Sequence, residues 1–298
     1  MNGNRKIWAN LALLLTAAIW GSGFVFQKFA TDELSTSFIV AARFTVAGIV
    51  IAIAVAKKWK HISKRCFIGG FWAGVTLAVG TAFQTVAMSL GTSPGKSAFL
   101  TACYCVMVPF MYWGVKKEKP KKNHVLSAFL CVFGIGLISL TGGGGLTLGD
   151  IATLVCGVIF AANIIVISLY SQGNDPMLFT AVQICTAAVC GWVCVLFAGG
   201  MPETVSMGAM GNILYLAVFS TCVSLTLQTF GLKYTNATVG TVLLSLESVF
   251  GVLFSILLYG EKVTARMGIG FAVVFVAVLL SQMDFSSKKE EETQKISG

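Results

Sequence analysis

Charge is what this chain has least of. Of its 298 residues, 11% are Asp, Glu, Lys or Arg, against about a quarter in soluble domains. Histidine is scarcer still. His61 and His124 are the only two, and both fall in basic stretches, "KKWKHISKR" and "KKEKPKKNH", outside the apolar runs. With no histidine inside those runs, an intramembrane zinc site is not expected. The chain also lacks the G-x-x-x-x-G-K-Ser/Thr spacing of a phosphate-binding loop. Its one glycine tract, "TGGGGLTLGD", reads as a linker rather than a phosphate cradle. With no element for nucleotide hydrolysis, any uphill work must draw on a gradient. The segments between apolar runs are roughly ten residues or fewer. That leaves no room for a soluble enzyme domain or a partner-binding scaffold.

Apolar residues fill the chain instead, 56% of it. A bilayer core about 30 Å thick needs roughly 20 of them per helix. The pattern predicts ten spans, at 7–27, 37–56, 67–88, 96–115, 125–141, 150–170, 178–198, 210–231, 237–258 and 264–283. The first is too long to be a cleaved signal segment, and further spans follow it. The expected fold class is therefore an all-α integral membrane protein with ten transmembrane helices.

The formal net charge of +9 could suggest nucleic acid, but its placement points to topology. With the N-terminus inside, sixteen of the 21 Lys and Arg lie on the cytoplasmic side and four on the outer side, and Arg43 lies within a span. This is the positive-inside asymmetry. It predicts cytoplasmic termini, a multi-pass protein of the plasma membrane and no nucleic-acid partner. All nine cysteines lie in or beside spans. They are expected to be packing residues and to form no disulfides.

The two halves resemble each other. At an offset of 140, "FIVAARFTVAGIV" falls on "LFTAVQICTAAVC", so Arg43 meets Gln183, Trp20 meets Phe160 and Gly23 meets Asn163. At an offset of 144, Gln84-Thr85 falls on Gln228-Thr229 and Glu247 on Cys103. Five spans per half is odd, so the second copy must be inverted in the membrane. Inverted repeats put a substrate site near the midplane between the halves. The expected units are a first five-helix repeat over 1–141, a second over 142–283 and a charged cytoplasmic tail over 284–298.

"WGSGF" in the first span, "AARF" in the second and "LLSLESVFGVLFSILLYGEKVT" near the end complete the picture. With ten spans over residues 7–283, they resemble the drug/metabolite transporter superfamily, EamA-type branch. That resemblance implies a secondary permease with a cavity between its repeats, often an exporter of amino acids and other small metabolites.

The candidate site residues are polar groups that interrupt apolar runs. Glu247 is eleventh in a 22-residue span, about 15 Å from either end. A charge there costs on the order of 2.5–3.5 kcal/mol by insertion scales. Gly240, Leu244, Glu247, Gly251 and Ser255 form one stripe of mostly small residues, so the carboxyl is expected to look inward. Arg43 is the one basic residue well inside a span. It is read as a substrate contact, a snorkelling anchor or a partner of Glu247. Trp20 shares a face with Gly23 and Gln27 and lies too deep for an interfacial belt. Gln84, Gln228, Asn163 and Gln183 are intramembrane amides, and Tyr104 stands one step from Cys103.

The reading is a permease moving a small polar metabolite by alternating access. Protons are the simplest coupling ion, lipid the expected surrounding, and no cofactor is called for. The alternative is an exchanger of nucleotide-sugar or phosphorylated anions, which should need more than one cavity cation.

Overall fold

The computed structural model describes residues 3–117, 119–139, 146–171, 173–234 and 243–282. The linker glycines, the charged tail and the start of the ninth span lie outside the described residues. The apolar runs form helices at all ten expected positions. The first repeat contributes α1 (Gly3–Thr31), α2 (Thr36–Ala54), α3 (Lys64–Ser89), the pair α4 (Pro94–Ala102) and α5 (Tyr104–Lys116), and α6 (Lys122–Ser139). The second contributes α7 (Leu148–Tyr170), α8 (Pro176–Ala198), the pair α9 (Met207–Ala217) and α10 (Ser224–Tyr234), α11 (Glu247–Phe254) and α12 (Ala265–Gln282). Among the described residues, seven helical segments have the length and hydropathy to cross a bilayer, and three apolar helices are shorter. Large apolar side chains such as Phe129, Phe197 and Trp8 point outward, as lipid-facing residues do.

The sequence marks most helix ends. Ser35, Ser63 and Ser206 accept hydrogen bonds from the backbone N–H groups of Phe38, Cys66 and Ala209. Thr147 and Asp150 form a reciprocal capping box at the start of α7. Pro94 and Pro176 occupy first helical positions, where a missing N–H costs nothing. Asp150 is fully buried and takes Lys96 Nζ at 2.8 Å, which ties α4 to α7.

Packing follows an inverted two-fold plan. The first span packs on the eighth, and the third packs on the sixth, its counterpart under repeat exchange. The second span packs on the seventh, the fourth on the ninth and the fifth on the tenth, each against its own counterpart. Glycines permit the closest approaches. A Cβ on Gly134 would lie 3.1 Å from Gly270 O, and one on Gly270 would lie 3.0 Å from Gly134 O.

The loops also meet. Ser35 and Ser37 donate to the carbonyls of Gly200 and Gly199 at one end of the bundle. At the other end Lys58 pairs with Asp175 at 2.7 Å, and Ser63 bonds Asn174 at 2.8 Å. The Lys58 ammonium holds the Asp175 carboxyl below its usual range. His61 closes the short 3-10 turn beside this pair.

The fourth and ninth spans are interrupted, and their breaks correct the repeat register. Cys103 N bonds Leu100 O at 3.4 Å, and Leu246 N bonds Leu243 O at 3.3 Å. Both are short i→i−3 turns with nearly equal backbone angles, φ −58°, ψ −16° and φ −63°, ψ −10°. The same two spans end on left-handed residues, Lys117 and Gly260. Cys103 and Leu246, like Lys117 and Gly260, are 143 residues apart. The counterpart of Glu247 is therefore Tyr104, not Cys103. Side-chain similarity alone misplaced it by one residue because neither break carries a glycine or proline to mark it.

Just past Gly260, Glu261 reaches the start of α4. It accepts from Ser93 Oγ, from Ser255 Oγ and from Gly95 N at 3.0 Å. A carboxylate at a helix N-terminus meets the positive end of the dipole. Glu261→Ala leaves these donors unpaired and should cost about 2 kcal/mol. A lowered midpoint in a detergent thermal melt, restored in part by Glu261→Gln, checks this.

Candidate functional site

Among the described residues, the helices surround a central cavity of about 180 Å³, lined from both repeats. All eight polar residues singled out from the sequence line it: Trp20, Arg43, Gln84, Tyr104, Asn163, Gln183, Gln228 and Glu247. Phe24, Phe44, Leu77 and Phe160 supply apolar wall between them.

Arg43 reaches the cavity from the middle of α2. Its guanidinium turns inward to bond and does not snorkel. Nε donates to Thr221 Oγ1 at 2.9 Å, Nη1 to Gln27 Oε1 at 3.2 Å and Nη2 to Ser220 Oγ at 3.2 Å. All three acceptors are neutral. Guanidinium has five N–H donors, so two remain for another acceptor. The carbon of the group lies 5.6 Å from the Phe44 ring centroid.

Ser220 and Thr221 can meet Arg43 because the eighth span is not a uniform helix. A π turn over Val218–Val223 separates α9 from α10. Widening to i→i+5 bonding turns a Ser-Thr pair toward the cavity, and such turns recur at functional sites. Side chains stabilise the widened backbone: Thr221 Oγ1 donates to Leu216 O at 2.9 Å and Ser224 Oγ to Phe219 O at 2.7 Å. Trp20 Nε1 donates to Ser220 O at 3.0 Å. Trp20 is thus a wall of the cavity and also a tie between repeats.

Glu247 is 5% exposed and opens α11, the half-helix after the break in the ninth span. Tyr104 opens α5 in the corresponding place, and its hydroxyl donates to Glu247 Oε1 at 3.2 Å. Of the expected stripe, Leu244, Gly251 and Ser255 are buried, Gly240 lies outside the described residues, and a Cβ on Gly251 would collide with Ala98 of α4. Arg43 and Glu247 do not pair with each other. The ion pairs among the described residues are Lys28–Asp32, Lys58–Asp175 and Lys96–Asp150. The cavity therefore holds one cation and one carboxylate, each bonded to neutral groups.

The amides divide by use. Asn163 spends its donors on Ala73 O at 2.7 Å and Thr76 Oγ1 at 2.9 Å, which joins α7 to α3. Gln84 makes one long bond, 3.5 Å, to Thr101 Oγ1. The side-chain amides of Gln183 and Gln228 make no hydrogen bond to another described residue, and both residues line the cavity. The nine cysteines are free thiols, and Cys131 Sγ lies 3.1 Å from Cys103 Sγ. Sequence reasoning missed Ser220 and Thr221. The run "VFSTCVS" held the signal, three hydroxyls within an apolar span.

Comparison with known proteins places this geometry. Residues 7–140 and 147–283 each match the model described as the EamA-like transporter family. An uncharacterized transporter of Archaeoglobus fulgidus is 31% identical over 278 residues, 93% of this chain and 87% of its own. The adenosine 3'-phospho 5'-phosphosulfate transporter 1 of Homo sapiens is 28% identical over 194 residues, 58% of this chain and 44% of its own. A solved crystal structure with 15% identity superposes with a TM-score of 0.66, covering 92% of this chain and 96% of that one. This last likeness bears on the fold alone.

Proposed function

The chain belongs to the EamA-like transporter family, and on that premise we propose that it is a secondary-active exporter of a small zwitterionic metabolite, such as an amino acid. The observation that carries this reading is the charge content of the cavity. Arg43 from the first repeat and Glu247 from the second stand in one space, and neither is ion-paired to a described residue. A buried charge without a counter-charge is costly. A ligand with one anionic and one cationic end would relieve both at once. Arg43 receives the anionic group on its guanidinium, where a carboxylate is a stronger acceptor than the neutral groups now bonded there. Glu247 takes the cationic group, or a proton when the site is empty. Gln183 and Gln228, whose amides bond no other described side chain, offer donors and acceptors to the polar remainder.

The cycle is alternating access between the two repeats, driven by a proton gradient. The charge asymmetry supports cytoplasmic termini and residence in the plasma membrane. No step of catalysis is needed, because the cavity groups bind and release without bond making.

A second reading, exchange of nucleotide or phosphorylated anions, is favoured by the likeness to the human phosphosulfate transporter. The cavity weighs against it. A multiply charged anion would meet one guanidinium and also the Glu247 carboxylate. A thermal-shift screen separates the two, since a ligand that binds the folded state raises its stability by mass action. Amino acids and other zwitterions are expected to raise the melting midpoint, and phosphorylated nucleotides and sugars to leave it unchanged. The opposite pattern selects the second reading.

A further inference from the structure

The cavity and one end of the bundle share a single side chain. Gln27 lies in the last turns of α1 and is 2% exposed. Its oxygen accepts from Arg43 Nη1 at 3.2 Å, and its nitrogen donates to Thr85 Oγ1 at 2.9 Å. Thr85 lies in the last turns of α3, is fully buried and donates in turn to Thr81 O at 2.7 Å. The chain of bonds runs from the guanidinium through Gln27 to the closing contact between α1 and α3. That end is the outer one by the charge count.

The other end differs. At the repeat offset of 140, the counterpart of Gln27 is Ile167, an apolar side chain that cannot join two polar groups. The helices α7 and α10, counterparts of α1 and the far half of α3, have no packed interface of the kind that joins α1 to α3. In an inverted repeat, the two-fold operation exchanges the two ends of the molecule. A contact formed in one repeat and lacking in the other therefore distinguishes a closed end from an open one. Among the described residues, the end where α1 and α3 finish is packed shut, and the end where α7 and α10 finish lacks the matching contact.

We propose that Gln27 is a gate-linking residue: it holds the outer end shut while Arg43 is free of substrate, and lets go when a substrate anion takes the Arg43 N–H that Gln27 now accepts. This rests on the reading of Arg43 as the anion anchor. A carboxylate or phosphate is a stronger acceptor for guanidinium than a neutral amide. Once Gln27 loses Arg43 it loses the partner that fixes its rotamer, and its bond to Thr85 loses its alignment. Substrate loaded from the cytoplasm thus releases the far gate, and an empty carrier stays closed to the outside. Gln27 touches the anchor and the gate but need not touch substrate, so it is a positioning residue.

The test needs no substrate. Leu77, on the cavity wall, is changed to cysteine, and a membrane-impermeant maleimide is added to one face of proteoliposomes or the other. Peptide mass spectrometry reads the modification of that one thiol. Gln27→Leu should raise its labelling from the outer face ten-fold or more and lower it from the cytoplasmic face. Thr85→Val removes the hydroxyl that Gln27 bonds and should do the same, and it keeps the test alive if Gln27→Leu does not insert. The double variant should label no faster than either single one. Unchanged outer labelling in both variants overturns the proposal. So does a rise from both faces together, which would mean simple loosening, or a rise from the cytoplasmic face alone. The outcome is independent of the substrate screen. If no zwitterion binds but the outer gate opens in these variants, the gate stands and the substrate reading falls.

Discussion

Glu247→Gln is expected to abolish gradient-driven accumulation and to leave the protein folded. Glutamine keeps the size of the side chain and still accepts from the Tyr104 hydroxyl, which lies 3.2 Å from Glu247 Oε1. What it removes is the ability to exchange a proton or to balance a cationic group. If Glu247 couples transport, the variant retains exchange of substrate across a membrane with no gradient and loses uphill transport and its pH dependence. Tyr104 and Arg43 share the cavity with it, and Cys105 and Cys156 stand within its electrostatic reach. None of these is a second carboxylate that could substitute. Flux in proteoliposomes as a function of pH, for wild type and variant, is the measurement. A pH profile that survives the substitution at equal protein stability makes the carboxyl structural.

Arg43→Gln carries the second large effect, and its two readouts move in opposite directions. Removing one partner of a buried charge pair across an interface costs about 2–5 kcal/mol. Substrate affinity should fall by roughly two orders of magnitude or more, at about 1.4 kcal/mol per ten-fold. The empty protein should melt no lower than wild type, because the guanidinium in the empty cavity bonds only neutral Gln27, Ser220 and Thr221. Deleting an uncompensated buried charge relieves a desolvation cost. Affinity by calorimetry against the best ligand of the screen, with a melt of the ligand-free protein, checks both. A large fall in stability with affinity unchanged would make Arg43 a structural tie.

Much of the fold was legible because membranes impose a simple grammar. A bilayer demands long apolar helices, and the count of ten followed from run length alone. The inversion followed from five being odd, and the inward face of Glu247 from Gly251 and Ser255 at helical spacing. The rest depended on backbone detail that side-chain patterns do not encode. The breaks at Cys103 and Leu246 use ordinary residues, so the register slipped by one and hid the pairing of Tyr104 with Glu247. The π turn at Val218–Val223 is a change of one residue in hydrogen-bond register, and no composition marks it. The inward turn of Arg43 depends on that register, which is why a snorkelling anchor looked reasonable from its place in α2. Gln27 was visible as a polar residue near the end of its span, but its two partners come from α2 and α3.

Tyr104 and Glu247 hold positions that the pseudo-two-fold operation exchanges with one another. A contact between such positions lies on the axis itself. If the two repeats trade shapes, as the proposed cycle requires, contacts off the axis must swap ends, as a seesaw's seats do. A contact on the axis maps onto itself and stays where a fulcrum would be. The phenol therefore faces the same carboxylate whichever end of the cavity admits water. In the proposed cycle, solvent and substrate arriving from either side would meet Glu247 in the same setting, so its preference for a proton or a cation need not change between the two faces. Direction must then come from the groups that lie off the axis, where one repeat offers Gln27 and the other Ile167.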